Sequence, residues 1–316
     1  MHNKRNAGSP YLLLLVGILA VSTAAILIKT ALPFASPIAV AFHRLFFSAI
    51  IAIFIFFVTK KEEKISLDSK QIGLLTLSGV LLALHFALWT WSLNLVSVNS
   101  SVIFVTTSPL WVGLLSPLVL KEQVSKRFYL GVLFAFLGGL LIAILGKNDS
   151  GSSTLPGILM ALLSAWMVAG YLLVGRKVAS KMSTELYVSI VYSIAALVLG
   201  IMMLFFDKNY QTYPPKIYLV FLLLALVPQT LGHTSLNKAL TRLPAQIVSL
   251  ALLFEPIGSS ILAILFLKEL PSAIEVAGGI LIAPLGSRER EAFETKNHPL
   301  CGWGQRVIPK PIPLSE

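Results

Sequence analysis

The chain has 316 residues, of which 56% are hydrophobic and only 12% are charged, and its mean hydropathy is +0.83. A soluble domain carries about 25% charged residues, and its interior could not enclose this much apolar surface. The composition therefore excludes an ordinary soluble protein and predicts that the lipid bilayer surrounds most of the chain.

In chain order, nine apolar runs are long enough to cross a hydrocarbon core of about 30 Å, which takes about 20 residues of helix. A tenth run is about half that length and looks truncated. The runs show little alternation of period two, so they predict helices rather than barrel strands. The ten predicted helices are 11–28, 38–58, 72–91, 98–120, 128–145, 155–174, 186–206, 217–236, 245–267 and 276–285.

The first run follows Lys4 and Arg5, so a secretory signal peptide is an alternative for this segment. The apolar core of a signal peptide has about 7–15 residues, whereas this run is longer and eight more long runs follow it. We interpret it as the first transmembrane helix. The polar connections are too short for a soluble domain of about 50 residues, and the predicted fold class is an all-α polytopic membrane protein.

Lysine and arginine are distributed unevenly between alternate connections. If the amino terminus is cytoplasmic, fourteen of these residues lie inside before the tail and five lie outside. Positive residues concentrate on the cytoplasmic side of membrane proteins, so we predict a cytoplasmic amino terminus and a location in the inner or plasma membrane. This bias explains the net charge of +11 without a nucleic-acid partner.

The sequence contains an internal repeat. A shift of 147 residues places SPLWVGLLSPLVLKE (108–122) over EPIGSSILAILFLKE (255–269). The same shift pairs Lys29 with Arg176, and it pairs the first five predicted helices with the last five without a gap. We therefore predict one five-helix repeat at 1–150, a second at 151–286 with a short last helix, and a disordered or divergent tail at 287–316.

Each repeat has an odd number of spans, so the second enters the membrane upside down relative to the first. Inverted repeats are typical of secondary transporters, whose substrate site lies near the midplane between the repeats. Two such halves can exchange an outward-open shape for an inward-open one by rocking. The architecture thus predicts a carrier that works by alternating access.

Several motifs accompany this architecture: the P…LKE pattern at the end of the fourth helix of each repeat, the glycine-bearing fifth helices YLGVLFAFLGG and EVAGGILIAPLG, and FHRLFFSAI in the second helix. With them, the region from Tyr11 to about Leu285 resembles the EamA family of the drug/metabolite transporter superfamily. The resemblance implies ten helices, a central cavity lined mainly by helices one to four and six to nine, and efflux or exchange of small metabolites such as amino acids. It places the short tenth helix at the periphery, where it bears on packing and on contacts in a homodimer.

Glu255 and Pro256 lie in the middle of the ninth predicted helix. Glu255 is about ten residues, or roughly 15 Å, from the start of that helix, which puts its carboxylate near the midplane. An ionisable residue there usually faces the bundle interior or a wet cavity, and Pro256 frees backbone carbonyls by removing a helical hydrogen bond and crowding the preceding turn. The structural alternative is a proline kink whose glutamate is satisfied by a neighbouring helix.

His43 and Arg44 lie about six residues, or some 9 Å, from the outer end of the second predicted helix. Arg44 is a candidate to attract a substrate carboxylate, or to pair with Glu255 in one access state. Snorkelling of Arg44 to the headgroups and a purely structural ion pair are the alternatives.

The remaining cavity candidates are polar or aromatic residues inside predicted helices. His85 and His233 could relay protons because histidine titrates near neutral pH, although a lone histidine more often forms only local hydrogen bonds. Small polar residues also hold helices together, and tryptophans also form interfacial belts. The further candidates are Trp89, Ser108, Pro109, Trp166, Tyr171 and Gln229. Glu122 and Glu269 follow lysines at helix ends, where solvated ion pairs are expected.

Motifs for catalysis and for ATP hydrolysis are absent from the sequence. It has no GxxxxGK[ST] loop and no HExxH motif, and its single cysteine, Cys301, excludes a disulfide within the chain and a cysteine-based zinc cluster. A membrane serine protease would have to combine the GSS at 258–260 with His233. We predict a protein that is not an enzyme and that has no cofactor and no metal site.

The sequence as a whole predicts a secondary transporter of a small-molecule substrate, with amino acids or related metabolites as the leading class and efflux as the direction. Proton or membrane-potential coupling could act through Glu255 and His85, and uniport or exchange fits equally well. Multidrug efflux and a passive channel or facilitator are the alternatives. Flux that saturates with substrate and shows exchange would distinguish a carrier from a channel.

Overall fold

The structure is a computed structural model that describes residues 9–60, 63, 65–122, 124, 128–129, 154–178, 181–207, 213–271, 273 and 276. Within these residues there is no strand, and eight helices are long and apolar enough to cross a membrane. They are α1 (Pro10–Ala31), α2 (Pro37–Thr59), α3 (Ser69–Leu95), α4 (Val98–Val119), α5 (Leu155–Val178), α6 (Thr184–Phe206), α7 (Pro215–Leu240) and α8 (Ala245–Leu267).

These eight helices coincide with eight of the ten apolar runs in the sequence. Helices α1 to α4 are the first four predicted helices, and α5 to α8 are the sixth to the ninth. The fifth and tenth predicted helices, 128–145 and 276–285, lie almost wholly outside the described residues, as does the tail at 287–316. The all-helical membrane class is thus confirmed for the described part of the chain.

Polar residues just before the helices decide where several of them begin. Ser36, Asp68, Ser97 and Ser183 each accept a hydrogen bond from the backbone N–H three residues further on. The first N–H groups of a helix have no partner within it, and such caps satisfy one of them. These residues therefore fix the starts of α2, α3, α4 and α6.

The helices pack across the midpoint of the sequence. Helix α1 packs against α7, α2 against α6, α3 against α5, and α4 against α8. The two halves can be exchanged by renaming α1 as α5, α2 as α6, α3 as α7 and α4 as α8, and the reverse. The same four pairs result. These four pairs therefore map onto one another when the two halves are exchanged.

Helices α4 and α8 run in opposite directions. The backbone N–H of Val98, at the start of α4, donates to Glu269 Oε1, just after the end of α8, at 2.7 Å. At the other end, Glu122 Oε1 accepts from Arg176 Nε at 3.0 Å, and Arg176 Nη1 donates to the carbonyl oxygen of Leu240 at 2.7 Å. Leu240 ends α7 shortly before α8 begins, so the end of α4 lies near the start of α8.

Helices α3 and α6 approach each other closely at Gly79. A Cβ atom added at Gly79 would lie 2.5 Å from Ile194 Cγ2 and 3.2 Å from the carbonyl oxygen of Val191. A Cβ added at Gly73, in the same helix, would meet no atom of the described residues within 4 Å. The two glycines of α3 thus differ sharply in the space around them.

We predict that Gly79→Leu lowers the free energy of unfolding by about 1–3 kcal/mol, because the new side chain overpacks the contact with Ile194. Gly73→Leu is the matched control and should not lower the free energy of unfolding, because its side chain has free space and leucine is favoured over glycine in a helix by up to about 1 kcal/mol. Thermal unfolding of the purified proteins in detergent measures both. Equal unfolding midpoints for the two variants would contradict close packing of α3 and α6 at this point.

Candidate functional site

A small cavity lies between the two halves of the helix bundle. Its open volume is about 30 Å³, which is room for about two water molecules. Among the eight described transmembrane helices, all except α6 contribute to its wall. The lining residues are Val21, Ala24, Arg44, His85, Trp89, Val105, Thr106, Ser108, Val168, His233, Leu252 and Glu255.

Half of this lining consists of residues proposed from the sequence. Gln229 does not line the cavity, but it binds Arg44 through a hydrogen bond. Pro109 and Pro256 are buried next to lining residues. The proposed residues that the fold brings together at the cavity are Arg44, His85, Trp89, Ser108, His233 and Glu255.

His43 does not reach the cavity, although it precedes Arg44 in the sequence. Successive residues of a helix point about 100° apart, so the two side chains leave α2 in different directions. The imidazole of His43 stacks on Phe221, with ring centroids 4.5 Å apart, and its Nδ1 lies 2.8 Å from the carbonyl oxygen of Ala39. The structure thus gives His43 a local hydrogen bond in an aromatic cluster.

Trp166 and Tyr171, both on α5, also lie outside the cavity. Trp166 is 46% exposed, and its ring packs edge-on against Trp111 with centroids 4.7 Å apart. Tyr171 is buried, and its hydroxyl oxygen accepts a hydrogen bond from the side-chain amide of Asn237. Neither is therefore placed to stack on a molecule in the cavity.

Interruptions in α4 and α8 place polar residues at the cavity. Helix α4 is interrupted at Thr106 and Thr107, and α-helix resumes at Ser108. Helix α8 contains a tight 3₁₀ segment, Leu252–Phe254, and resumes at Glu255. Ser108 and Glu255 occupy the same position in the 147-residue repeat. Helix starts carry a partial positive charge, and both of these restarts lie at the cavity wall.

The prolines after these residues explain where the helices resume. Pro109 and Pro256 lie in the first turn of the restarted segments. Proline is favoured there, because its missing N–H would have no partner within the helix, and it crowds the turn before it. The predicted disturbance at Pro256 is therefore a break and restart of α8.

Arg44 is the most deeply buried charged side chain at the cavity. It is 1% exposed, so it does not snorkel to the headgroups. Its Nε donates to Gln229 Oε1 at 2.9 Å, and its Cζ lies 3.9 Å from the ring centroid of Phe86 in a cation–π contact. Its Nη1 and Nη2 are buried and have no hydrogen-bond partner among the described residues. Two unsatisfied nitrogens on a buried charge are costly.

Glu255 belongs to the second half of the sequence repeat and Arg44 to the first, but both line the same cavity. Glu255 is 7% exposed and interacts electrostatically with the guanidinium of Arg44. Ser22 Oγ donates to the carbonyl oxygen of Ile18 at 2.9 Å and lies 3.4 Å from the backbone carbonyl oxygen of Glu255, and Ser259 Oγ donates to the carbonyl oxygen of Ser22 at 3.2 Å. Ser22 lies where α1 is interrupted, so this interruption and the restart of α8 hold each other in place.

His85 and His233 face each other across the cavity, with ring centroids 6.4 Å apart. Ser164 Oγ on α5 donates to the carbonyl oxygen of His85 at 3.0 Å and lies 2.8 Å from its Nδ1. The His85 ring also stacks against Trp89, with centroids 6.0 Å apart. His85 thus has the local hydrogen bonds that a structural histidine would have, while one edge lines the cavity.

Sequence reasoning missed several contributors to this site, of which Phe86, Thr106 and Ser22 are examples. The ring of Phe86 contacts the guanidinium of Arg44. Phe86 lies three residues before Trp89, on the same face of α3. That spacing could have identified it. Thr106 and Ser22 lie at helix interruptions, and no sequence pattern distinguishes them from other serines and threonines of the apolar runs.

Two curated relatives have similar sequences. The chain is 27% identical over 238 residues to the pseudopaline exporter CntI of Pseudomonas aeruginosa, which covers 75% of this chain and 81% of that protein. It is 26% identical over 218 residues to the uncharacterized transporter YdfC of Bacillus subtilis, which covers 68% of this chain and 70% of that protein.

The fold is also similar to a solved structure. One crystal structure aligns with a TM-score of 0.70 at 15% sequence identity, over 91% of this chain and 98% of the other. The EamA-like transporter family matches residues 8–144 and 155–284. These two segments make up most of the 316 residues, and the chain therefore belongs to the EamA-like transporter family.

Proposed function

We propose that the protein is a secondary transporter that exports a small zwitterionic metabolite, an amino acid or a related compound, by alternating access. The observation that carries this proposal is the guanidinium of Arg44, which lines the cavity with two terminal nitrogens that have no partner among the described residues. Guanidinium groups bind carboxylates through two parallel hydrogen bonds. A substrate carboxylate would satisfy both nitrogens at once.

Glu255 supplies the opposite charge in the same cavity. A substrate with a carboxylate and an ammonium group can place each next to a side chain of opposite sign. A simple acid would pair only with Arg44 and a simple amine only with Glu255. The other side chain would then be left as a buried charge without a partner, which costs about 2–5 kcal/mol. The pair of charges therefore favours zwitterions over compounds that carry a single charge.

The direction of transport follows the relative from Pseudomonas aeruginosa, which is an exporter. We place this protein in the inner or plasma membrane with a cytoplasmic amino terminus, because the positive residues favour that orientation. A homodimer, which the family resemblance implies, stays a prediction.

Alternating access requires two halves of like design in opposite orientations. We infer ten helices in two inverted repeats, 1–150 and 151–286, with the fifth and tenth helices at 128–145 and 276–285. The antiparallel course of α4 and α8, their breaks at equivalent positions and helix pairs that survive exchange of the halves support this inference.

The size of the cavity supports a carrier over an open channel. Its volume of about 30 Å³ holds about two water molecules, so an amino acid can enter only if the surrounding helices move. Rocking of one half against the other would open the cavity to one face at a time. Flux through such a protein saturates with substrate.

We predict that Arg44→Met lowers transport of zwitterionic substrates about 100-fold, because the substrate carboxylate loses its charged partner. Removal of one partner of a buried charge pair costs about 3–5 kcal/mol, so Arg44→Lys is assayed beside it. Arg44→Lys keeps the charge but loses the two-pronged geometry of the guanidinium, and it should also lower the transport. Liposomes that contain the purified protein, assayed with amino acids, nucleosides and drugs with and without a pH gradient, measure the transport.

Arg242→Met is the matched control, because this arginine is exposed and does not line the cavity. It should transport as the wild type does. Undiminished transport by well-folded Arg44→Met would remove the basis of the proposal, and so would flux that grows linearly with substrate concentration.

A second prediction concerns Glu255. Glu255→Gln keeps the shape of the side chain and removes its charge, so the preference for an amino acid over its deaminated acid should fall about tenfold. If the carboxylate also carries protons, stimulation by a pH gradient disappears in this variant. Glu185→Gln is the control, since Glu185 pairs with Lys238 on α7 away from the cavity. An unchanged preference would exclude contact between Glu255 and the substrate ammonium.

A third prediction tests the orientation of the halves. In a Cys301→Ser background, Lys121→Cys should react with an impermeant thiol reagent only from the cytoplasmic face, and Lys268→Cys only from the outer face. The reason is that these residues end antiparallel helices that each span the bilayer. Reaction of both from the same face would rule out inverted repeats.

A further inference from the structure

An ion pair joins the two halves of the protein at the end of α4. Arg176 Nε lies 3.0 Å from Glu122 Oε1, and the two side chains are 27% and 24% exposed. Arg176 Nη1 also donates to the carbonyl oxygen of Leu240 at 2.7 Å. The ends of α5 and α7 are thus tied to the end of α4. Glu122 does not form the solvated pair expected from the sequence, because its partner is a half-buried arginine of the other half.

A second group of contacts has the same plan at the start of α4. Lys29 Nζ donates to the carbonyl oxygen of Val96, just after α3, at 3.0 Å, and its ammonium interacts electrostatically with Glu269. Glu269 Oε1 accepts from the backbone N–H of Val98 at 2.7 Å. The ends of α1 and α3 are thus connected to the end of α8.

The 147-residue repeat relates these two groups of contacts. The shift superposes Lys29 on Arg176 and Glu122 on Glu269. In each group, a cation near the end of the first helix of one half meets a carbonyl at the end of the third helix of the same half. Arg176 forms an ion pair with the carboxylate that follows the fourth helix of the other half, and Lys29 interacts electrostatically with the equivalent carboxylate. A duplicated unit would repeat this pattern only if its residues were retained at both ends.

The backbone before the two glutamates is also the same. Lys121 and Lys268 have φ angles of 58° and 56°, and in the described part of the chain they are the non-glycine residues with positive φ. A left-handed backbone is unfavourable for a residue with a Cβ atom. Unfavourable conformations that recur at equivalent positions point to a functional constraint, and here each one sets the position of the glutamate that follows.

We propose that these two contacts are the gates of the transporter: Arg176 with Glu122 is the inner clasp, and Lys29 with Glu269 is the outer clasp. The proposal rests on the proposed alternating access. In the structure the inner clasp is a closed ion pair. In the outer clasp, Lys29 and Glu269 hold the neighbouring backbone groups of Val96 and Val98 and attract each other electrostatically. The cavity between the two clasps measures about 30 Å³. The halves can part at one face only when the clasp at that face opens, so loss of one clasp shifts the equilibrium towards the state open at that face.

The test measures access to the cavity from each face. Val168→Cys places a thiol in the cavity wall, in a Cys301→Ser background, and membrane vesicles of either orientation are treated with a small impermeant methanethiosulfonate. Arg176→Gln should raise the labelling rate from the cytoplasmic face about tenfold, and Lys29→Gln should raise it about tenfold from the outer face. A tenfold change corresponds to about 1.4 kcal/mol, close to the lower end of the range for a hydrogen bond to a charged group.

Three further variants make the comparison specific. Glu122→Gln should reproduce Arg176→Gln, and the double variant should label no faster than either, because both remove one interaction. If Arg176→Gln fails to fold, Glu122→Gln takes its place in the test. Lys238→Gln is the control: its ion pair with Glu185, 3.7 Å long, connects two helices of the same half, and its loss should leave labelling unchanged.

Equal labelling of parent and clasp variants, or acceleration from the same face by both, would overturn the gates. Labelling of the parent, which carries only Val168→Cys and Cys301→Ser, distinguishes failure of the gates from failure of the proposed function. If the parent is labelled slowly from both faces and the clasp variants match it, alternating access stands and the clasps are not gates. Labelling of every protein from one face only would contradict alternating access itself.

Discussion

A guanidinium group buried inside a membrane protein is the constraint on which the rest of this structure depends. Arg44 is almost fully shielded from bulk water, so its charge has to be met by the protein or by molecules held in the cavity. Gln229 and the ring of Phe86 meet part of it, and Glu255 compensates electrostatically. The two remaining nitrogens have no partner among the described residues, and in the proposed function they bind a substrate carboxylate.

The breaks in α4 and α8 solve a related problem, because a continuous apolar helix offers a substrate only side chains. Each break is followed at once by a polar residue and then a proline, Ser108–Pro109 in α4 and Glu255–Pro256 in α8. The helical segment that starts there has its first residue at the cavity. The π-helical segment Ala225–His233 in α7 widens the backbone between Gln229 and His233. Irregular backbone is tolerated at this depth because protein surrounds it.

Hydropathy alone predicted the eight described spans, since each needs only enough apolar residues to cross the bilayer. The rarity of charges inside those spans also pointed to Arg44 and Glu255. Sequence could not decide which neighbour of a pair faces inwards, and so His43 was proposed together with Arg44 although the helix turns it towards Phe221. The contact of Glu122 with Arg176 was also out of reach, because it depends on how distant helix ends meet.

The equivalent breaks in α4 and α8 have identical backbone roles but different chemistry. Where one carries Glu255, the other carries Ser108, and the position equivalent to Arg44 is Val191. The two halves therefore share a shape, while the charges belong to one copy only. Under the proposed alternating access, a bound zwitterion would adopt a single polarity, and the outward-facing and inward-facing forms would have unequal energies even without substrate. The empty protein would then rest with its cavity open to one preferred face of the membrane.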